Sequence, residues 1–256
     1  MHELSYLMAA LLGFVQGATE FIPISSSGHL VVLQQWFGLT LPAEELLAID
    51  VCLHFGSLIA LIIVFWNAIW ALLKKPRLVG LLILGTIPAV IVGLGLKEPM
   101  TALFSSVRAA GWGWLLTGVI LLLTRYCRPG EVTETSLRVK HVLWIGLAQA
   151  VAIIPSISRS GMTIASALFL GLTRSFAGEF SFLLGLPAIG GAVLLEGKSI
   201  FGIDPAARGP LLVGTLISFV VSYFSLLLLM RFIRAGKVHY FAYYCFAIGI
   251  VSLLLP

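Results

Sequence analysis

Five stretches of this chain run for 16 to 21 residues without a lysine, arginine, aspartate or glutamate: 78–96, 109–124, 180–195, 210–230 and 238–256. A sixth, 46–66, is equally apolar except for Asp50 and His54. A helix that crosses a bilayer needs about 20 such residues. In hydrocarbon, every backbone polar group must be satisfied within the segment, so only helices or closed barrels span. The short alternation of a transmembrane barrel is absent here. The expected fold is an all-α polytopic membrane protein. Charged residues make up 11% of the 256, where a soluble domain carries about 25%.

The net charge of +5 does not point to nucleic acid. The cations sit in short loops: Lys74, Lys75 and Arg77; Arg125, Arg128, Arg138 and Lys140; Arg231, Arg234 and Lys237. That is the positive-inside pattern, and it places these three loops in the cytoplasm. Cys52, Cys127 and Cys245 are scattered, which implies neither a metal knuckle nor a disulfide framework. Glu3 and the lack of a basic stretch near the start give no expectation of a cleaved signal peptide.

The chain also repeats itself. Shifted by 133 residues, GFVQGATEFIPISSSG (13–28) falls on GLAQAVAIIPSISRSG (146–161), with six of sixteen positions identical. Each copy precedes three apolar runs. The reading is one membrane domain of two repeats, 1–127 and 138–256, joined by a polar loop. If the cationic loops are cytoplasmic, the segment from Lys140 to Glu179 starts and ends inside. It must dip in and return. The first copy must do the same from outside. Two re-entrant hairpins (8–38 and 141–172) plus six full spans then form an inverted repeat whose broken helices meet near the midplane. Pro23 and Pro155 are expected to break the helices. Ser27 and Ser160 are the expected N-caps of the returning helices. Two helix N-termini aimed into one cavity suit a phosphate.

Gly13, Gln16, Gly17 and Glu20 fall on one helical face, and an ionisable group at membrane depth marks function by default. His29 follows a turn, where it can face Glu20. Arg159 stands where the first copy has Ser26, and its planar fork suits phosphate. One cavity would thus gather a carboxylate, an amide, an imidazole, hydroxyls and a guanidinium, a phosphoryl-transfer inventory. Glu20 with Gln16 could hold Mg²⁺ or Ca²⁺, which take oxygen ligands. Asp50 and His54, one turn apart, suggest a pair behind the site or at its outer rim. Glu179 reads as a cap of the next helix.

QGATEFIPISSSGHL (16–30) with PSISRSG (155–161), and EFSFLLGLP (179–187), resemble the bacterial undecaprenyl pyrophosphate phosphatase family, also called bacitracin-resistance proteins. The resemblance runs over essentially the whole chain. It implies hydrolysis of undecaprenyl diphosphate to the monophosphate, outside the cytoplasmic membrane, with a divalent metal, to recycle the lipid carrier of cell-wall synthesis. Its motifs fall on Gln16 and Glu20, on Ser25, Ser26, Ser27, Gly28 and His29, and on Ser156, Ser158, Arg159, Ser160 and Gly161. Catalysis is expected from Glu20, His29, Ser26 and Arg159, with Ser26, His29 or water as the attacking group. The other serines, both glycines and Gln16 would bind phosphate. Partners are the prenyl diphosphate lipid and the bilayer, with a homodimer allowed. The other large class of lipid phosphatases, the type-2 phosphatidic acid phosphatases, needs a histidine and an aspartate six and ten residues after the arginine. Those positions hold Ala165 and Phe169. The alternative is an inverted-repeat transporter or flippase of prenyl phosphate lipids, which would bind such lipids without releasing phosphate.

Overall fold

The apolar runs become helices that end where glycine, proline or charge interrupts them. The computed structural model of the protein describes residues 4–39, 43–95, 106–154, 156–198 and 203–254. Among these, the regular structure is helical apart from a single bridge between Val132 and Leu172. In chain order the helices are α1 (Tyr6–Thr19), α2 (Ser26–Trp36), α3 (Ala43–Val64), α4 (Trp66–Leu72), α5 (Pro76–Gly95), α6 (Val107–Leu123), α7 (Val139–Val151), α8 (Arg159–Phe169), α9 (Arg174–Glu196), α10 (Pro205–Arg234) and α11 (Phe241–Leu254). Side-chain caps on Ser5, Ser106, Ser158, Thr173 and Asp204 start α1, α6, α8, α9 and α10 by accepting from first-turn N–H groups.

Among the described residues, five segments are long and apolar enough to cross a membrane: Glu45–Val64, Pro76–Gly95, Val107–Tyr126, Arg174–Glu196 and Pro205–Arg234. The apolar runs lead one to expect six. The sixth run supplies Val238–Leu254, a shorter apolar helix that includes the 3₁₀ turn over Val238–Tyr240; residues 255–256 lie outside the described residues. The helices α1 and α7 are shorter still, at 14 and 13 residues. At 1.5 Å per residue, each reaches about 20 Å, short of the roughly 30 Å hydrocarbon core.

The bundle has two chemically different ends. At one, Leu4 before α1, Leu39 after α2, Ile49 near the start of α3 and Ile203 before α10 share one apolar cluster. At the other, Lys75 Nζ pairs with Glu134 at 2.7 Å, and Arg77 donates to the Glu134 and Leu137 carbonyls. Thr173 N donates to the Val132 carbonyl and Val132 N to that of Gly171 (2.9 Å each), so the end of α8 returns to the loop that feeds α7. Arg125, Arg128, Arg174 and Gly236 line one pocket at this same end. All three cation-rich loops therefore lie together, as the charge pattern required. The α1–α2 pair starts and finishes at the opposite end.

Close backbone approach fixes the packing. A methyl on Gly13 of α1 would strike the Gly214 carbonyl of α10, and one on Gly146 of α7 would strike the Gly85 carbonyl of α5. Lipid gives no hydrophobic drive between helices, so small residues that admit close contact do this work. Gly13 and Gly146 are repeat partners, and each uses a glycine of the opposite half. Helices α6 and α11 pair in the same way across Gly111 and Gly249.

Candidate active site

Helix α1 ends at Thr19, and residues 20–24 form turns before α2 begins. Pro23 disfavours helix at Ile22, which accounts for the break on the first side. Pro155, the expected breaker of the second, lies outside the described residues. The N-caps are Ser25 and Ser158, two residues earlier than Ser27 and Ser160. Ser158 is extended, and its hydroxyl accepts from Gly161 N at 3.1 Å. Ser160 already lies inside α8 and bonds the Ser158 hydroxyl at 3.2 Å. Ser25 reaches its position through a left-handed φ of 65° and bonds the Ser27 hydroxyl at 3.2 Å. Ser156 has a similar φ of 64°. Such backbone costs about 1–3 kcal/mol per residue and concentrates at functional sites.

The two breaks touch. A methyl on Gly28 would meet Ser156 Oγ at 2.5 Å, and one on Gly161 would meet Pro23 Cβ at 3.4 Å. Helices α6 and α11 pin both loops. Trp114 Nε1 donates to the Ile24 carbonyl at 2.7 Å, and Ser158 N donates to Thr117 Oγ1 at 3.0 Å. From α11, Cys245 Sγ approaches the Pro23 carbonyl at 3.8 Å.

Glu20 lies at the centre, 9% exposed. Arg159 Nη2 donates to its Oε1 at 2.8 Å. Its Oε2 accepts from Ser26 Oγ at 2.6 Å and from Gln16 Nε2 at 3.2 Å. Gln16 is steadied by Ser57, itself bonded to Ser218 and Ser222 of α10. Three buried polar atoms here have no protein partner among the described residues: Gln16 Oε1, Ser156 Oγ and Arg159 Nη1. A Cβ on Gly185 would overlap Arg159 Nη1, so that glycine makes the room the guanidinium occupies. Arg159 thus spends one nitrogen on Glu20 and keeps another unbonded, as a group meant for an anion would.

His29 does not face Glu20. Its Nδ1 donates to the Ser25 carbonyl at 2.6 Å, and its Nε2 bonds Tyr244 OH at 2.7 Å. Its ring lies edge-on to Trp114 and stacked on Tyr244. The backbone bond to Ser25 fixes the ring on the α11 side, one turn along α2 from Ser26. The histidine at Glu20 is His54 instead, with Nε2 3.4 Å from Oε2. Asp50 and His54 do not pair through their side chains. Gln34 Nε2 donates to Asp50 Oδ1 at 2.8 Å, while His54 Nδ1 bonds the Asp50 carbonyl at 2.7 Å. Glu179 sits within α9, whose N-cap is Thr173, and so caps nothing. Sequence reasoning misses Tyr244 as a site member, and it sets His54 only behind the site or at its outer rim, paired with Asp50 rather than beside Glu20. The signal for His54 is a polar pair in an otherwise apolar span; Tyr244 gives none.

A multi-span helical bundle with a carboxylate, a serine and a guanidinium buried where two broken helices meet is a multi-pass membrane protein with an interior polar site. The model of the family described as Bacitracin resistance protein BacA matches residues 9–251, and the chain belongs to that family. It is 41% identical over 253 residues to a protein of Carboxydothermus hydrogenoformans named undecaprenyl-diphosphatase, covering 96% of each chain. Proteins of the same name from Rhodopirellula baltica (39%, covering 100% of this chain and 99% of the relative) and Methanosphaera stadtmanae (38%, 98% of each) are similar over their whole length.

Proposed function

We propose that this protein is an integral membrane phosphatase that hydrolyses undecaprenyl diphosphate to undecaprenyl phosphate and inorganic phosphate. Family membership and the shared name of its relatives support the substrate. The observation that carries the chemistry is the 2.6 Å bond from Ser26 to Glu20, with Arg159 on the other carboxylate oxygen. A carrier of prenyl lipids needs no hydroxyl aimed at a base.

In this reading Ser26 Oγ attacks the terminal phosphorus and Glu20 Oε2 takes its proton. The bond from phosphorus to the bridging oxygen breaks, and undecaprenyl phosphate leaves. Water then attacks the phosphoserine, Glu20 returns its proton to Ser26, and the proton of water leaves with phosphate. Arg159 Nη1 and the α2 and α8 N-termini bear the developing charge. Ser25, Ser27, Gly28, Ser156, Ser158, Ser160 and Gly161 shape the cradle. His29 orients α2 through Ser25 and Tyr244.

A divalent cation fits this donor set. Gln16 Oε1 is a buried oxygen without a partner among the described residues, next to the Glu20 carboxylate. Among the described residues no group of three or more His, Cys, Asp or Glu gathers, so phosphate oxygens and water would complete the shell of Mg²⁺ or Ca²⁺. When bound, the ion would neutralise phosphate charge.

The architecture is read as an inverted repeat. Hairpins α1–α2 and α7–α8 re-enter from opposite faces, and Val238–Leu254 completes a sixth span. The crosswise glycine contacts and the sharing of each hairpin's two ends by one end of the bundle support this. With the cationic end in the cytoplasm, the α1–α2 hairpin opens to the outer side of the bacterial inner membrane. Regenerating the carrier lipid there serves cell-wall synthesis and accounts for bacitracin resistance. Purified protein in detergent, with no second compartment, tests the reading: it releases phosphate from undecaprenyl diphosphate, and binding without release would replace it with a carrier.

A further inference from the structure

We propose that Arg125, Arg128 and Arg174, gathered at the cationic end of the bundle, form a second site that binds a phosphate group, supplied by the headgroup of an anionic lipid or by free phosphate. The site is separate from the one at Glu20 and does not depend on the reaction there. Arg159 opens α8 beside Glu20, whereas Leu168, which lines the arginine pocket, lies near the other end of that helix. Along the helix axis the two are about 14 Å apart.

Stretches far apart in the chain build the pocket. The 3₁₀ turn Thr124–Tyr126 that ends α6, and the residues just after it, bring Arg125, Cys127 and Arg128. The start of α9 brings Arg174, and the turn after α10 brings Gly236. Other cations at this end have a structural account. Lys75 pairs with Glu134, Arg77 donates to carbonyls, and Arg231 and Arg234 lie in the last turn of α10, where the helix dipole favours a cation. Arg174 is the reverse case: it is the first residue of α9, where the dipole opposes a cation. Among the described residues, no side-chain hydrogen bond or ion pair engages Arg125, Arg128 or Arg174. Guanidiniums around one pocket repel, and an anion between them offsets that. The chain also makes room for one of them. Gly236 holds a left-handed φ of 70°, and a Cβ there would overlap the Arg174 guanidinium.

Phosphate is the anion that suits these side chains, because the planar guanidinium fork donates to two of its oxygens at once. The surroundings suit a lipid as its source. Leu123, Tyr126, Phe169 and Tyr240, each next in the chain to a residue of the pocket lining, are all exposed. Tyrosines concentrate at the level of the headgroups, so a lipid can set its phosphate on the arginines and its chains on these neighbours. Basic pockets between helices on the cytoplasmic side bind anionic headgroups in this way, and the reading above puts this end in the cytoplasm. A phosphate held here would tie the end of α6, from the first half of the chain, to the start of α9 and the end of α10, from the second.

Cys127 lines the same pocket and is half-buried, so its thiol reports occupancy. Delipidated protein in a neutral detergent is alkylated with iodoacetamide, and the rate at Cys127 is read by peptide mass spectrometry, with Cys52 of α3 as the internal reference. The additions are phosphatidylglycerol, phosphatidylcholine or inorganic phosphate. Phosphatidylglycerol is expected to slow Cys127 by about fivefold or more and to leave Cys52 within about twofold, while phosphatidylcholine slows Cys127 by less than about twofold. Protection by phosphatidylglycerol alone assigns the lipid as the source, protection by millimolar inorganic phosphate assigns the free anion, and both uphold the site. In Arg174→Gln, and in the double variant Arg125→Gln/Arg128→Gln, protection relative to the same variant without additive should fall below about twofold. Full protection in both variants overturns the proposal. So does no protection of the parent by phosphatidylglycerol or by phosphate. Equal protection by the two lipids, with none by phosphate, means that acyl chains alone cover the thiol, and overturns it as well. Should the variants not fold, these arms on the parent decide.

Discussion

The hairpins α1–α2 and α7–α8 are two versions of one device, and they differ in what they carry. Both end a short helix on a glutamine-bearing face, turn through serines and restart on a capped or strained serine. The first holds Glu20, Ser26 and His29. The second has Ile153 in place of Glu20 and Arg159 in place of Ser26. Gln16 bonds Glu20 and Ser57, whereas neither polar atom of Gln149 has a partner among the described residues. Ser158 caps its helix through its side chain, whereas Ser25 does not. The second hairpin is the better-built helix start and brings the cation. Each carries one left-handed serine, Ser25 or Ser156, and in the proposed mechanism the first brings the nucleophile and base. In the proposed mechanism the same backbone thus serves scaffold and anion clamp on one side and chemistry on the other.

That contrast can be broken in order of expected effect. Glu20→Gln and Arg159→Ala, one from each hairpin, should each cut phosphate release by roughly 10³-fold in a detergent assay, because each removes charge that the transition state needs. Activity near the parent from either would end the division of labour. Gln16→Leu should lower kcat/KM by about 10- to 100-fold, while the matching Gln149→Leu leaves the rate unchanged and raises the melting temperature by relieving a buried unpaired amide. Gly13→Ala and Gly146→Ala should each cost about 1–3 kcal/mol of stability, since both force backbones apart at equivalent crossings. A large difference between the two would argue against equivalent packing. Last, Ser158→Ala should cost about 1 kcal/mol and Ser25→Ala less, because only Ser158 makes a capping bond. Thermal melts in detergent measure both.

Much of this architecture is legible in the sequence. The spans follow from runs of apolar residues that leave a bilayer as the only fitting solvent. The hairpins follow from two copies of one motif at matching places. Glu20, Ser26, Gln16 and Arg159 follow from polar residues set where hydrocarbon is expected. The failures share a cause. Three consecutive serines offer equivalent caps, so the choice of Ser25 over Ser27 depends on where the chain turns. His29 has two ring nitrogens and several partners in reach; its backbone bond to Ser25 and the hydroxyl of Tyr244 take both. Tyr244 comes from a span far along the chain, and pairings between distant helices leave no local pattern.

The claim that the two hairpins form one site is tested most directly by a double-mutant cycle between them. Glu20→Gln, Arg159→Gln and the double variant are compared for phosphate release from undecaprenyl diphosphate under single-turnover conditions. Direct contact at 2.8 Å predicts strong coupling, with the double variant hardly worse than the worse single and a coupling energy of at least about 2 kcal/mol. Losses that simply add, within about 0.5 kcal/mol, would mean that the carboxylate and the guanidinium act apart.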